Sequence, residues 1–460
     1  MEQETVLHIE GTVEQVLYRN EQNGYTVLDL DANGTLITVV GELGDVEEGE
    51  QLSVDGTYVN HIRFGVQFQA QYVERKLPED AINIQRYLSS GVIKGIGSAL
   101  AKKIVTAFGS QTLEIMEKQP TRLMEIRGIS PKKCETIAQE VQKIFALRSL
   151  MLFLQQYNIR SRYAMRAYQC YGSGAKEMIL ANPYLLCGMG IELPFEKAEI
   201  LADDLKVPKN AEQRILAGTC YILEHNTHNG YTCLPLDRLQ PKVCEYLQVS
   251  ESEFLAAYQA AQKEGNLVSY QKETREFVYL PAYYEAEQYI ADRIGVLRDF
   301  SAPEDQEIYL DLIKREETEQ GIQYAELQRK AILSALSRGL LILTGGPGTG
   351  KTTTLNGMIS LFEKQGYQVM LAAPTGRAAQ RISDLTGYEA KTIHRLLEVE
   401  FDMAGATKFR HNESNPLTCD VMIVDEMSMV DVLLFESLLR ALRFSCKLIM
   451  VGDSDQLPSV

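Results

Sequence analysis

Along the first 75 residues apolar and polar side chains alternate, in stretches such as "TVLDLDANGTLITVVGEL" and "FGVQFQAQYVERK", broken at "NEQNG", "DANG" and "VEEGE". A period of two, with turn residues between the runs, predicts about five short strands. Strands of that length in 1–77 suggest a small OB-like β-barrel, a fold that commonly takes oligonucleotides. A purely structural β domain has the same pattern.

From residue 80 the period becomes helical and a unit repeats. "LSSGVIKGIGSALAKKIVTAFG" (88–109) carries a helix, a turn at Gly95-Ile96-Gly97 and a second helix with Lys102 and Lys103. "LMEIRGISPKKCETIAQEV" (123–141) has the same plan, with Gly128-Ile129-Ser130 followed by Lys132 and Lys133, and "NPYLLCGMGIELPFEKAEILADDL" (182–205) is a weaker third copy. Glycines at such a turn let backbone N–H groups point outward at a helix start, where the helix dipole favours an anion such as a DNA phosphate. The repeat over 78–209 resembles the helix-hairpin-helix family, which implies grip on the DNA backbone through Gly95, Gly97, Gly128 and Lys132. The same spacing also fits a plain helical bundle with glycine caps. The third copy, with Glu192 and Glu196 and no lysine beside its turn, is expected to pack rather than bind.

Residues 210–282 read as three helices and a hairpin, "NLVSYQ" and "EFVYLP" about "KETR", which suggests a winged-helix-like module. Few of its residues are basic, so a spacer role is favoured. Residues 283–320 read as a helical connector. Over 321–460 apolar strands "GLLILTG", "YQVMLAAPT", "CDVMIVDE" and "CKLIMVGD" alternate with helices, the pattern of a parallel α/β sheet covered on both faces. The chain is thus expected to be multidomain, mixing α/β and α+β parts.

The first of those strands runs into Gly345-x4-Gly350-Lys351-Thr352, a P-loop between a buried strand and a helix. In such a loop Gly346, Pro347, Gly348, Thr349 and Gly350 wrap a polyphosphate with backbone donors. Lys351 reaches the β- and γ-phosphates, Thr352 ligates Mg²⁺, and Thr353 continues the first helical turn. Strand "VMIVDE" supplies Asp425 as an Mg²⁺ holder and Glu426 as the base that activates water. Strand "KLIMVGD" places Asp453 and Gln456 where they could sense the γ-phosphate. Gln328, one helix upstream of the P-loop, can both donate to and accept from an adenine edge.

Charge changes the picture in one respect: 46 Lys and Arg against 62 Asp and Glu give a net −16, so nucleic-acid contact has to come from local segments. The eight cysteines form no CxxC pair. One cluster, Cys220, His225, His228 and Cys233, has two sulfurs and two imidazoles that could hold zinc, or a helix end followed by an "HNG" turn. The longest apolar runs fall far short of a membrane span of about 20 residues, and the acidic N-terminus is unlike a secretory signal, so a cytoplasmic place with no membrane partner is expected.

The series "AELQRKAI", "GGPGTGKTTT", "APTGRAAQRI", "TIHRLL", "VMIVDEMSMVD" and "GDSDQLPSV" resembles the superfamily 1 helicases from their glutamine motif through motif III. It is most similar to the stand-alone RecD-like DNA helicases, whose N-terminal modules come in the same order. The resemblance implies an ATP-dependent DNA helicase moving 5′ to 3′ on single-stranded DNA and opening single-strand/duplex junctions in repair or recombination. It implies Thr375, Arg377 and His394 on the strand track, and for "EVEFDMAGATKFRHNESNPL" (398–417) either a strand-separating pin or a surface excursion. It further implies a second motor domain, so a chain stopping at Val460 is expected to be truncated after motif III and a poor catalyst alone. A non-motor DNA-binding scaffold with a nucleotide-dependent clamp, and an RNA helicase, are the alternatives.

Overall fold

The structure, a computed structural model, describes residues 7–20, 25–32, 34–43, 46–61, 64–300, 306–346, 348–401 and 407–453. Pro347, Gln456 and the tip of the expected pin lie outside the described residues. By its contacts the chain divides after Val207 into two compact units.

In the first unit β1 (Leu7–Arg19), β2 (Tyr25–Ala32), β3 (Thr35–Glu42), β4 (Gln51–His61) and β5 (Gly65–Lys76) close into a barrel in the order β1-β2-β3-β5-β4. Neighbours are antiparallel except β3 and β5, where Val39 stands opposite Phe68. The alternation places Val13, Leu28, Leu30, Val39, Leu52, Val54 and Phe68 inside. An OB-like barrel is what results.

Seven helices follow: α1 (Ala81–Ser89), α2 (Ser98–Phe108), α3 (Thr112–Lys118), α4 (Pro131–Gln155), α5 (Ser161–Tyr171), α6 (Ala175–Ala181) and α7 (Phe195–Asp204). Ile84, Leu88, Ile93, Ile104, Leu123 and Ile137 share one core, so the two good repeats pack as a pair. The second half of α4 returns to the barrel, where Arg148 donates to Arg75 O at 2.7 Å and Gln155 to Val73 O at 2.6 Å. Beneath them Glu50, its side chain 1% exposed, accepts from Arg75 Nη2 at 2.7 Å and Nε at 2.8 Å. A carboxylate that deep is tolerable because it is paired.

The second unit opens with α8 (Glu212–Thr227), β6 (Cys233–Pro235), α9 (Leu236–Leu247), α10 (Glu251–Lys263), β7 (Val268–Lys272) and β8 (Arg275–Tyr279), whose three strands are ordered β6-β8-β7. This is a winged-helix arrangement with one strand more than the hairpin expected. Ser250 and Glu253 start α10 with a reciprocal capping box. Among the described residues no group of three or more His, Cys, Asp or Glu is arranged to hold a metal. Of the expected zinc candidates, His225 and His228 are exposed with their rings tilted and 6.4 Å apart, and His225 stacks on Tyr221 at 6.3 Å.

Next come α11 (Pro281–Asp299), α12 (Gln306–Gln320), α13 (Glu326–Ser337), β9 (Leu340–Thr344), α14 (Lys351–Lys364), β10 (Val369–Ala373), α15 (Gly376–Thr386), β11 (Ala390–Thr392) and α16 (Ile393–Leu397). The antiparallel pair β12 (Val399–Phe401) and β13 (Thr407–Phe409), then β14 (Val421–Val424), α17 (Val432–Ala441) and β15 (Lys447–Gly452) complete the unit. The main sheet is parallel throughout, ordered β11-β10-β14-β15-β9. Successive residues feed opposite cores. Met422, Val424, Leu448 and Met450 face α11, α16 and α17, while Val421, Ile423, Ile449 and Val451 face α12, α13 and α14. The segment expected as a connector therefore belongs to this packing. Leu297 of α11 and Tyr309 and Ile313 of α12 are core residues, and Arg293 of α11 donates to Arg443 O at 2.6 Å. No helix is long and apolar enough to cross a membrane among the described residues.

Candidate nucleotide and DNA site

In a parallel sheet the loops at the carboxyl ends of the strands share one edge, and the expected chemistry gathers there. β9 leads into the P-loop, β14 into Asp425 and Glu426, β10 into Thr375, and β15 into Asp453. β14 pairs with β10 on one side and β15 on the other, and β15 pairs with β9, so the four loops are neighbours.

The P-loop turns through Gly348 (φ +75°) and Gly350 (φ +84°), the latter capping α14. Gly346 has no such backbone demand, and a Cβ there would meet nothing within 4 Å. What its missing side chain leaves is open space over the loop's backbone, the shape a phosphate group needs. Lys351 donates to Gly345 O and, at 3.0 Å, to Gly346 O, which keeps the ammonium over that hollow. Thr349 Oγ1 donates to Gly346 O at 2.9 Å and fixes the turn. Thr352 is half-buried in the first turn of α14, Thr353 is exposed, and Thr354 is buried with its hydroxyl on Gly350 O at 3.0 Å.

Gln328 sits against this loop. Its Oε1 accepts from Ala325 N at 2.9 Å, capping α13, and its Nε2 donates to Gly350 O at 3.3 Å. The amide expected to face a base thus spends its acceptor on its own helix and one donor on the P-loop.

Asp425 follows β14 directly, and its N–H donates to Ala372 O at 2.9 Å, tying it to β10. Burial pushes its carboxyl above the ordinary aspartate range, and the Glu426 charge adds to that; the N–H of Glu426 and the charges of Arg381 and Lys351 act the other way. Asp425 and Thr352 carry oxygen donors of the kind a hard divalent cation takes. Glu426 occupies the left-handed region (φ +53°) and lies 3.7 Å from Arg381 on α15. Ser428 has a buried Oγ without a hydrogen-bond partner beside this strand end.

Thr375 caps α15, accepting from Ala378 N at 3.2 Å, and Arg377 is exposed in the first turn of that helix. His394 is exposed on α16, its ring 6.0 Å from Phe409 of β13. In the first unit Gly95 (φ +98°) and Gly128 (φ +111°) make matching turns, with Ile96 N bonded to Ile93 O and Ile129 N to Ile126 O. Gly97 and Ser130 cap the helices that follow, and Lys132 is exposed in the first turn of the second. In the third copy Arg166 reaches Ile191 O at 3.1 Å and Glu192 at 3.4 Å, while Gly188 and Met189 of its turn are exposed.

Sequence reasoning missed Arg381 beside Glu426. The signal was present in "GRAAQRIS", where Arg381 falls one helical turn after Arg377.

Four family models match in chain order. They are the OB-fold domain of the ATP-dependent DNA helicase YrrC (6–78), a SAM-like helix-hairpin-helix tandem (86–143), the ATP-dependent RecD2 DNA helicase HHH domain (143–233) and an AAA domain (328–460). The chain is similar to RecD-like helicases along its length. It is 28% identical to the ATP-dependent RecD2 DNA helicase of Deinococcus radiodurans over 98% of its own length, and spans 64% of that relative. The RecBCD enzyme subunit RecD of Mycolicibacterium smegmatis is 43% identical over 29% of this chain and 28% of its own. The ATP-dependent DNA helicase dda of phage T4 is 38% identical over 26% of this chain and 28% of its own. The third of the family models takes in α8, which this chain packs against α9 and α10.

Proposed function

We propose that this chain supplies the DNA-gripping region and the nucleotide-binding motor domain of an ATP-dependent DNA helicase that moves 5′ to 3′ on single-stranded DNA. The observation that carries it is the gathering of P-loop, acidic pair and the start of α15 at one edge of the parallel sheet.

Gly346, Pro347, Gly348, Thr349, Gly350 and Thr353 form the cradle for the triphosphate, and Lys351 moves from its own loop carbonyls to the β- and γ-phosphates. Thr352 and Asp425 would hold Mg²⁺, which would supply charge neutralisation at those phosphates. Glu426 takes the proton of the attacking water, which requires an ionised carboxylate. Gln328, with one amide N–H still to donate, lies on the adenine side, and Gln456 couples nucleotide state to DNA. Thr375, Arg377 and His394 contact the strand, while Gly95, Gly97, Gly128 and Lys132 hold duplex backbone near a single-strand/duplex junction. We place the work in the cytoplasm, in DNA repair or recombination.

The test is ATP hydrolysis with and without single-stranded DNA. Stimulation by DNA in the native protein, and its loss in Lys351→Ala with the fold intact by circular dichroism, is expected. Undiminished hydrolysis in Lys351→Ala rejects the assignment.

A further inference from the structure

A cleft of about 810 Å³ runs between the β3–β5 side of the barrel and helices α4 and α5, wholly within the first unit. Its volume lies in the ordinary range for ligand sites, roughly 300–1,000 Å³. It is lined by five arginines and three glutamates, a local positive excess in a chain of net charge −16. We infer that this cleft is a second single-stranded DNA site, separate from the motor's track.

The floor and the rim have different characters. On the floor, Arg75 and Arg148 surround Glu50 at 2.7 and 3.9 Å and are mostly buried, so these charges are already satisfied. A small polar metabolite would need convergent polar groups, which the floor has spent on itself. The rim carries Tyr25 (38% exposed) and Tyr72 (44% exposed) on the barrel side. The helix side contributes Arg160, its side chain 60% exposed and 3.8 Å from Glu42, and Arg162, exposed beside Tyr163 with its guanidinium 4.8 Å from that ring. Exposed phenol rings and guanidinium groups lining one open groove match a flexible polyanion whose bases stack. Single-stranded nucleic acid is held in this way, without sequence preference. The inference extends the DNA-motor proposal but does not depend on its polarity or on hydrolysis.

The experiment uses the full chain without nucleotide and a thymidine oligonucleotide carrying 5-bromodeoxyuridine, photocrosslinked and mapped by peptide mass. Crosslinks at Tyr25 or Tyr72 are expected. Tyr72→Ala is expected to weaken binding about tenfold, the usual worth of one stacked base. Arg160→Ala with Arg162→Ala should lower the salt slope of binding by about 1.4, two single-strand phosphate contacts. Both changes are at exposed side chains and leave Glu50, Arg75 and Arg148 in place. Crosslinks confined to 340–400, with affinity and salt slope unchanged in these variants, overturn the inference. Arg377→Glu separates the two ideas: barrel crosslinks that persist while this variant has no effect on DNA binding would keep the cleft and count against the motor's track.

Discussion

Arg381 Nη1 lies 3.7 Å from the carboxylate of Glu426, so the helix that carries Arg377 also supplies the counter-charge of the expected water-activating residue. The arginine side chain is 72% exposed and the glutamate 20%, so the contact is open to solvent on one side and can be exchanged. An ion pair of this kind is weak and easily screened. A strand engaging α15 would compete for Arg381 and release Glu426. Arg381→Ala is therefore expected to raise DNA-free ATP hydrolysis and reduce the ratio of DNA-stimulated to basal rate. Steady-state rates across a salt series check this, with the difference from native protein shrinking as salt rises.

Asp425 gives a prediction in pH. Its carboxyl titrates above the ordinary aspartate range because burial disfavours the charge. A group whose folded pKa is raised contributes stability that is present below its unfolded pKa and lost as pH rises through the folded one. Asp425→Asn should accordingly raise the melting temperature at pH 7, and the gain should vanish below about pH 4, where the native side chain is protonated too. Thermal melts at the two pH values measure it. Removing the Arg381 charge should move the Asp425 pKa further up, and with it the acid limb of hydrolysis.

Gly350 is bound by two constraints, a left-handed φ of +84° and the Gln328 amide on its carbonyl and against its Cα. Gly350→Ala should cost about 1–3 kcal/mol from backbone strain, plus the displacement of Gln328. Denaturant melts of Gly350→Ala, Gln328→Ala and the double variant separate the two parts, since only the second is relieved when Gln328 is shortened.

Glu50 fastens the barrel to α4. Glu50→Ala leaves Arg75 and Arg148 facing each other without their carboxylate, and breaking a buried pair of this kind costs about 3–5 kcal/mol. Urea unfolding followed by limited proteolysis near residue 78 should show the barrel released first.

What was legible in the sequence was local. The P-loop declares itself because strand, glycine turn and helix start are contiguous, and the barrel's strands declare themselves because one face of each must be apolar. The pairs that close the barrel, β1 with β4 and β3 with β5, join residues far apart in sequence, and nothing in "LHIEGTVEQ" names its partner. β6 and β11 were not foreseen because three residues are too few to show a period. Residues 283–320 look like a charged connector because only part of each helix is apolar, yet Leu297, Tyr309 and Ile313 suffice to anchor both. Gln328's hydrogen bonds to Ala325 and Gly350 depend on the approach of α13 to the P-loop, which no spacing encodes.

The most direct measurement is strand displacement by the full-length protein with ATP and Mg²⁺, on duplexes bearing either a 5′ or a 3′ single-stranded tail. Unwinding of the 5′-tailed duplex, abolished by Lys351→Ala, is the predicted result. Unwinding confined to the 3′-tailed duplex, or none on either while ATP still alters DNA affinity, would contradict it.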